Sequence, residues 1–112
     1  MTKLRTALAT LMLATPATAQ EHPTIPGNYK RLATCVYRAL DAERPGTFRL
    51  IDLGDTTDLT MEVHGGGMTM RSFKATFTRV SNSVTRLEIG DVVPPGHFAS
   101  KVRPLATDCA SQ

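Results

Sequence analysis

Sequence strings that carry common enzymatic chemistry are missing from this chain. It has no G-x-S-x-G elbow for a nucleophilic serine, no glycine-rich phosphate-binding loop and no H-E-x-x-H metalloprotease string. Its carboxylates are scattered along predicted turns and strands, whereas acid–base catalysis on a glycoside needs two that converge. These absences predict that the protein is not an enzyme.

The chain also lacks concentrated charge and long apolar runs. It has no Lys/Arg-rich segment with interleaved aromatic residues, which argues against nucleic-acid binding. No apolar run reaches the roughly 20 residues that a transmembrane helix needs. We therefore expect neither a nucleic-acid partner nor a membrane span in the mature protein.

The first 19 residues have the features of a Sec-type signal peptide. A short basic segment precedes an uncharged apolar stretch, and Ala17-Thr18-Ala19 supplies the small-x-small pattern that signal peptidase accepts. We expect cleavage before Gln20 and export to the periplasm of a Gram-negative-type cell. The mature chain would have 93 residues, enough for one domain, with 11 basic residues against 10 acidic ones.

Two cysteines, Cys35 and Cys109, lie near the two ends of the mature sequence. An even number of cysteines in a small exported protein favours a disulfide, which here would close a loop of about 75 residues. The alternative is two unpaired or metal-binding thiols, although neither cysteine has another cysteine or a histidine at ligand spacing. We predict a Cys35–Cys109 bond.

Hydrophobic periodicity predicts a helix at each end of one domain. Residues 20–27 are expected to form a flexible lead-in, and residues 28–112 a single folded domain. Asn28 is a candidate N-cap, because apolar residues follow it at helical spacing. The spacing in 98–109 is helical again, but Pro104 predicts a kink there or a short second helix that begins at the proline.

The middle of the chain predicts four strands. Residues 47–53 are rich in apolar residues, and three later segments alternate apolar with polar residues. Gly65-Gly66-Gly67 predicts a tight hairpin loop. The expected fold is α+β, a four-stranded antiparallel meander with both helices on one face, joined by the disulfide. This plan resembles small Sec-exported periplasmic α+β proteins without an assigned activity, and the resemblance implies a compartment rather than a reaction.

A histidine and two methionines flank the predicted glycine loop. If all three glycines form the loop, His64 and Met68 become cross-strand neighbours, and Met70 lies beside Glu62 on the face opposite the phenylalanines, unless a bulge intervenes. Met68-Thr69-Met70-Arg71 resembles the Met-x-Met segment of small periplasmic copper metallochaperones. That resemblance implies a Cu(I) site with Met68 and Met70 as thioether ligands and His64 as the imidazole. Alternatively, the methionines cover exposed sheet or a partner's surface.

The sheet face away from the helices is the candidate binding surface. We expect a non-enzymatic periplasmic accessory or binding domain without a cofactor, whose partner is another envelope protein or a second copy of itself. The alternatives are a Cu(I)-binding, metallochaperone-like protein and, third, a small envelope enzyme or enzyme inhibitor. Besides the histidine and the methionines, the expected face contains Thr60, Glu62, Ser72, Lys74, Arg86 and Glu88.

Overall fold

The computed structural model describes residues 23–112, which form five strands and two helices. No helix in this part of the chain is long and apolar enough to cross a membrane. The expected signal peptide, its cleavage site and the first residues of the lead-in lie outside the described residues. In chain order the elements are β1 (Thr24–Pro26), α1 (Tyr29–Glu43), β2 (Phe48–Asp52), β3 (Thr56–Gly65), β4 (Met68–Ser81), β5 (Val84–Gly90) and α2 (Ala99–Ala110).

The strands form one antiparallel sheet in the order β1-β5-β4-β3-β2. The expected meander is present as β2 to β5, but the expected count of four strands is wrong, because β1 adds a fifth within the predicted lead-in. Ile25 pairs with Thr85 and is buried in the core. The Gly27 amide donates a hydrogen bond to the Ser83 carbonyl at 2.7 Å. Proline is tolerated on an edge strand, so Pro26 at the end of β1 and Pro23 just before it do not prevent pairing.

The start of α1 is determined by its first residues. The Asn28 side chain accepts hydrogen bonds from the backbone amides of Lys30 and Arg31, at 3.0 and 3.2 Å, and so satisfies two donors of the first turn. The predicted N-cap and helix are confirmed. The buried stripe of the helix contains Tyr29, Leu32, Ala33, Val36 and Leu40.

The second helix, α2, is continuous through Pro104. The expectation of a second helix beginning at this proline is therefore wrong. Pro104 cannot donate the hydrogen bond that the Ser100 carbonyl would otherwise accept. Both residues are exposed, so this carbonyl lies on the solvent side, while the opposite side of the helix is buried.

The two helices cover one face of the sheet and are joined to each other covalently. The predicted Cys35–Cys109 disulfide is present, and its Cα atoms are 6.1 Å apart, within the range that such a bond requires. Arg31 adds a second link, since its Nη1 donates to the Cys109 carbonyl at 3.2 Å. The core lies between the helices and the sheet face that carries Phe73 and Phe77. This face is named the inner face below, and the opposite one the outer face.

Candidate functional site

A β-bulge in β4 changes which side chains share a face near one end of the sheet. Met61 pairs with Phe73, but the next pair along the ladder is Glu62 with Arg71, so Ser72 has no direct partner. One extra residue in one strand reverses the inner–outer alternation of every residue beyond it. The residues of β4 that precede Ser72 therefore lie on the face opposite to the one predicted from an uninterrupted two-residue period.

The bulge separates the histidine from the methionines. Met70 pairs with Val63 on the inner side, whereas His64 pairs with Thr69 on the outer side. His64 Nδ1 lies 2.9 Å from Thr69 Oγ1, and this contact holds the ring on the outer face. The expected placement of the methionines beside the histidine on the outer face is wrong.

The donor set expected for Cu(I) is consequently not assembled in this structure. Gly65 pairs with Met68, so two glycines rather than three form the turn, and Met68 shares the inner side with Met70. His64 projects from the other side of the same hairpin. Within residues 23–112, no three His, Cys, Asp or Glu side chains are grouped so that they could hold a metal ion. A Cu(I) site requires its soft donors around one ion, and these three donors do not converge.

The end of the β3–β4 hairpin extends beyond the rest of the sheet. The pairing of β2 with β3 and of β5 with β4 stops before the hairpin turn. Residues 63–71, named the arm below, are all exposed. Three apolar side chains follow the inner side of the arm, and Val63, Met68 and Met70 are 45%, 67% and 55% exposed. A contiguous apolar strip on the surface of a small domain indicates an interaction site.

The segment 91–98, between β5 and α2, lies against the base of the arm and is named the loop below. The Val93 amide donates a hydrogen bond to the carbonyl of Ser72 at 2.9 Å. Arg71 Nη1 lies 3.3 Å from Asp91 Oδ2 and forms an exposed ion pair with it. The bulge therefore also provides the acceptor that attaches the loop to the arm.

A cleft of about 390 Å³ opens between the base of the arm, the loop and the end of α1. A volume of this size falls at the lower end of the roughly 300–1,000 Å³ typical of small-molecule sites. The Phe98 ring is fixed at one wall, because it packs edge-on against the Phe48 ring with centroids 5.4 Å apart. The apolar side chains of the lining include Met61, Val63, Met70, Val93, Pro95 and Phe98.

Three polar side chains, those of Arg44, Ser72 and His97, also line the cleft, and no carboxylate does. Arg44 is exposed, and its guanidinium forms no ion pair with any carboxylate of residues 23–112. The His97 ring packs edge-on against Phe98 with centroids 4.9 Å apart. The cleft is therefore an apolar site with one positive charge at its edge that no carboxylate of the described residues neutralises.

The outer face of the sheet carries polar side chains that contact one another across the strands. Arg49 Nη1 lies 3.6 Å from Glu62 Oε2, and Thr60 is directly opposite Lys74. Ser72 was expected on this face, but as the bulge residue it lines the cleft instead. The other five residues expected on the outer face are located there by their register, namely Thr60, Glu62, Lys74, Arg86 and Glu88.

An exposed ion pair joins α1 to the end of β2, away from the cleft. Lys30 Nζ lies 3.0 Å from Asp52 Oδ2. The pKa of Asp52 is held below its usual value, first by the hydrogen bond from the Gly54 amide and then by Lys30. The Asp52 carboxylate in turn raises the pKa of Lys30. Neither residue lines the cleft.

Sequence reasoning does not find the cleft, although one signal for it exists. Val92-Val93-Pro94-Pro95 is an apolar segment within a predicted loop, where polar residues are usual.

The chain matches no known protein family, and no curated protein or solved structure shows significant similarity to it. The function of the site must therefore be inferred from its geometry and chemistry.

Proposed function

We propose that the protein is a non-enzymatic binding domain of the periplasm, and that the cleft together with the inner side of the arm is its binding surface. One observation carries this proposal. The exposed apolar side chains of the arm, Val63 and Met70, continue directly into the cleft, where Met61 and Phe98 extend the same apolar surface. A ligand in the cleft would bury a surface that the folded chain leaves in water.

Burial of this surface provides the driving force for binding. Apolar surface removed from water contributes roughly 25 cal/mol per Å², so two side chains that are half exposed supply on the order of 1–3 kcal/mol. Methionine side chains are flexible and polarisable, and they adapt to ligands of different shape. The hydrogen bond between the loop and the bulge holds two walls of the cleft together, which lowers the ordering cost of binding.

The polar groups of the cleft support binding rather than catalysis. A nucleophile and its base lie within hydrogen-bond reach of each other in enzymes that use them. Ser72 and His97 both line the cleft, and no hydrogen bond joins their side chains within the described residues. The Ser72 carbonyl is instead used to attach the loop. We therefore assign these residues to the wall of a binding site.

Binding of a neutral, environment-sensitive dye such as Nile red to the mature protein tests the proposal. We expect dye emission to shift to shorter wavelength on binding, and the double variant Val63→Ser/Met70→Ser to bind roughly tenfold more weakly or worse. Val80→Ser is the matched control, because Val80 is similarly exposed, at 50%, but lies at the opposite end of β4 from the arm. Equal affinity for the wild type and the double variant would contradict the proposal.

The compartment is tested separately, on the exported protein. The intact mass of the product in a periplasmic fraction should correspond to a chain that starts at Gln20. A product that retains residues 1–19 and stays in the cytosol would contradict export.

A further inference from the structure

Three carboxylates on the elements that surround the cleft already have cationic partners, and a fourth, Asp41 on α1, accepts a hydrogen bond from the Gly46 amide at 3.1 Å. Glu43 Oε1 lies 2.6 Å from Lys101 Nζ at the end of α1. Asp91 in the loop pairs with Arg71, and Glu62 at the base of the arm pairs with a cation on the outer face. None of these carboxylates is left for the guanidinium that lines the cleft.

Arg44 therefore contributes a positive charge beside an apolar cavity, and no carboxylate of residues 23–112 is paired with it. Its backbone amide caps α1 by donating to the Leu40 carbonyl at 3.1 Å, so the residue is held at the end of a rigid helix. The side chain is exposed and lines the cleft. A guanidinium binds a carboxylate through two parallel hydrogen bonds, which are stronger than bonds between neutral groups. The charge of the site thus selects for an anion attached to an apolar group.

We propose that the cleft binds a single-chain aliphatic carboxylate, a medium-chain fatty acid, with its hydrocarbon chain along the apolar wall and its carboxylate on Arg44. This inference rests on the proposed function, which it makes more specific. The volume of about 390 Å³ has room for one chain rather than for the two chains of a diacyl lipid. Met61 and Met70 can rearrange around a flexible chain.

The number of charges in the cleft favours a carboxylate over a phosphate. A monoanion is neutralised by the one guanidinium. A doubly charged phosphate monoester would leave one of its charges without a cationic partner, because the lining contains no second arginine and no lysine.

Calorimetric titration with three probes that share one chain length tests the inference on the mature protein. The probes are decanoate, 1-decanol and decyl phosphate, at a pH where decanoate is ionised and at concentrations below micelle formation. We expect decanoate to bind roughly two- to fivefold more tightly than decanol, because Arg44 is exposed, and more tightly than decyl phosphate. Arg44→Gln should remove the advantage of decanoate and leave the affinity for decanol unchanged.

Arg38→Gln is the matched control, since Arg38 is an exposed arginine on the same helix that does not line the cleft. It should leave all three affinities unchanged, and thermal unfolding should show that both variants fold as the wild type does. Equal binding of decanoate and decanol by the wild type would overturn the inference, as would an Arg44→Gln variant that loses both equally.

Tighter binding of a tetrapeptide with a C-terminal leucine than of decanoate would also overturn it, because the occupant would then be a protein terminus. In each of these cases binding of the neutral dye would still support the proposed function. Loss of dye, decanol and decanoate binding together would contradict the proposed function itself.

Discussion

Replacement of both cysteines by alanine should lower the free energy of unfolding by about 4–5 kcal/mol. The two cysteines are 74 residues apart in sequence, and the chain-entropy expression for a loop of that length gives about 4.5 kcal/mol at 25 °C. The Cys109 side chain is 3% exposed, so the lost sulfur atoms add a packing loss on the order of 1 kcal/mol or less. A domain of this size is stable by roughly 5–15 kcal/mol, so the variant should be close to the limit of folding.

Urea unfolding followed by far-UV circular dichroism measures this loss. The slope of the free energy against urea should increase in the Cys35→Ala/Cys109→Ala variant, because its unfolded chain is no longer cross-linked and exposes more surface. Reduced wild-type protein is the control that separates the effect of the bond from that of packing. A loss below about 1 kcal/mol in both proteins would refute the chain-entropy reasoning and would mean that α1 and α2 are held together by their packing alone.

Three further changes test individual features of the fold. Gly96→Ala should destabilise the loop and weaken dye binding. Gly96 has a φ of +68°, and an added Cβ would lie 2.8 Å from Val92 Cγ1. Unchanged dye binding would contradict this prediction. The folded-state pKa of Asp52 is depressed, so the stability it contributes with Lys30 is complete above its unfolded pKa and is lost as the pH falls through the folded value. Unfolding measured below about pH 4 should therefore depend less on pH in Asp52→Asn, and an identical pH dependence would refute the assignment. Deletion of Ser72 should remove the bulge and still leave the arm methionines on the inner side, because Met70 would then lie two residues before Phe73 on a regular strand. NMR contacts between their methyl groups and the His64 ring would contradict the register argument.

Elements with strong local signals were predictable from the sequence. Asn28 identified the start of α1, because its side chain type and the apolar spacing after it agree. Cys35 and Cys109 were paired correctly because a two-cysteine chain has a single internal pairing and both residues fell on predicted helices. The hairpin was recognised from its glycines, although the turn uses two of them rather than three.

The placement of the methionines was not predictable, because nothing in the local sequence indicates the bulge. Met70, Ser72 and Lys74 are spaced two residues apart, and Phe73 lies between the last two of them. An uninterrupted strand would therefore place all three side chains on the face opposite Phe73. The bulge depends on pairing with another strand and on the loop amide that bonds to Ser72. Tertiary contacts of this kind can interrupt the two-residue alternation of side chains that the sequence of a single strand predicts.

Two other differences also arise from tertiary structure. β1 buries one side chain, that of Ile25, which is too little for a periodic signal to be visible. Pro104 is tolerated because it lies on the exposed side of α2. The cleft combines Arg44, the arm and the loop, which are far apart in sequence, so it could be found only after the fold placed them together.

Methyl NMR of the methionines during a titration with decanoate tests the central claim, that the cleft is the binding site, most directly. A chain that starts at Gln20 contains only Met61, Met68 and Met70, so three ε-methyl signals report on the cleft and on the tip of the arm. We expect the signals of Met61 and Met70, which line the cleft, to shift together with decanoate concentration and to show contacts with the decanoate chain. Shifts confined to Met68, or no shift of any of the three signals at saturating decanoate, would contradict the claim.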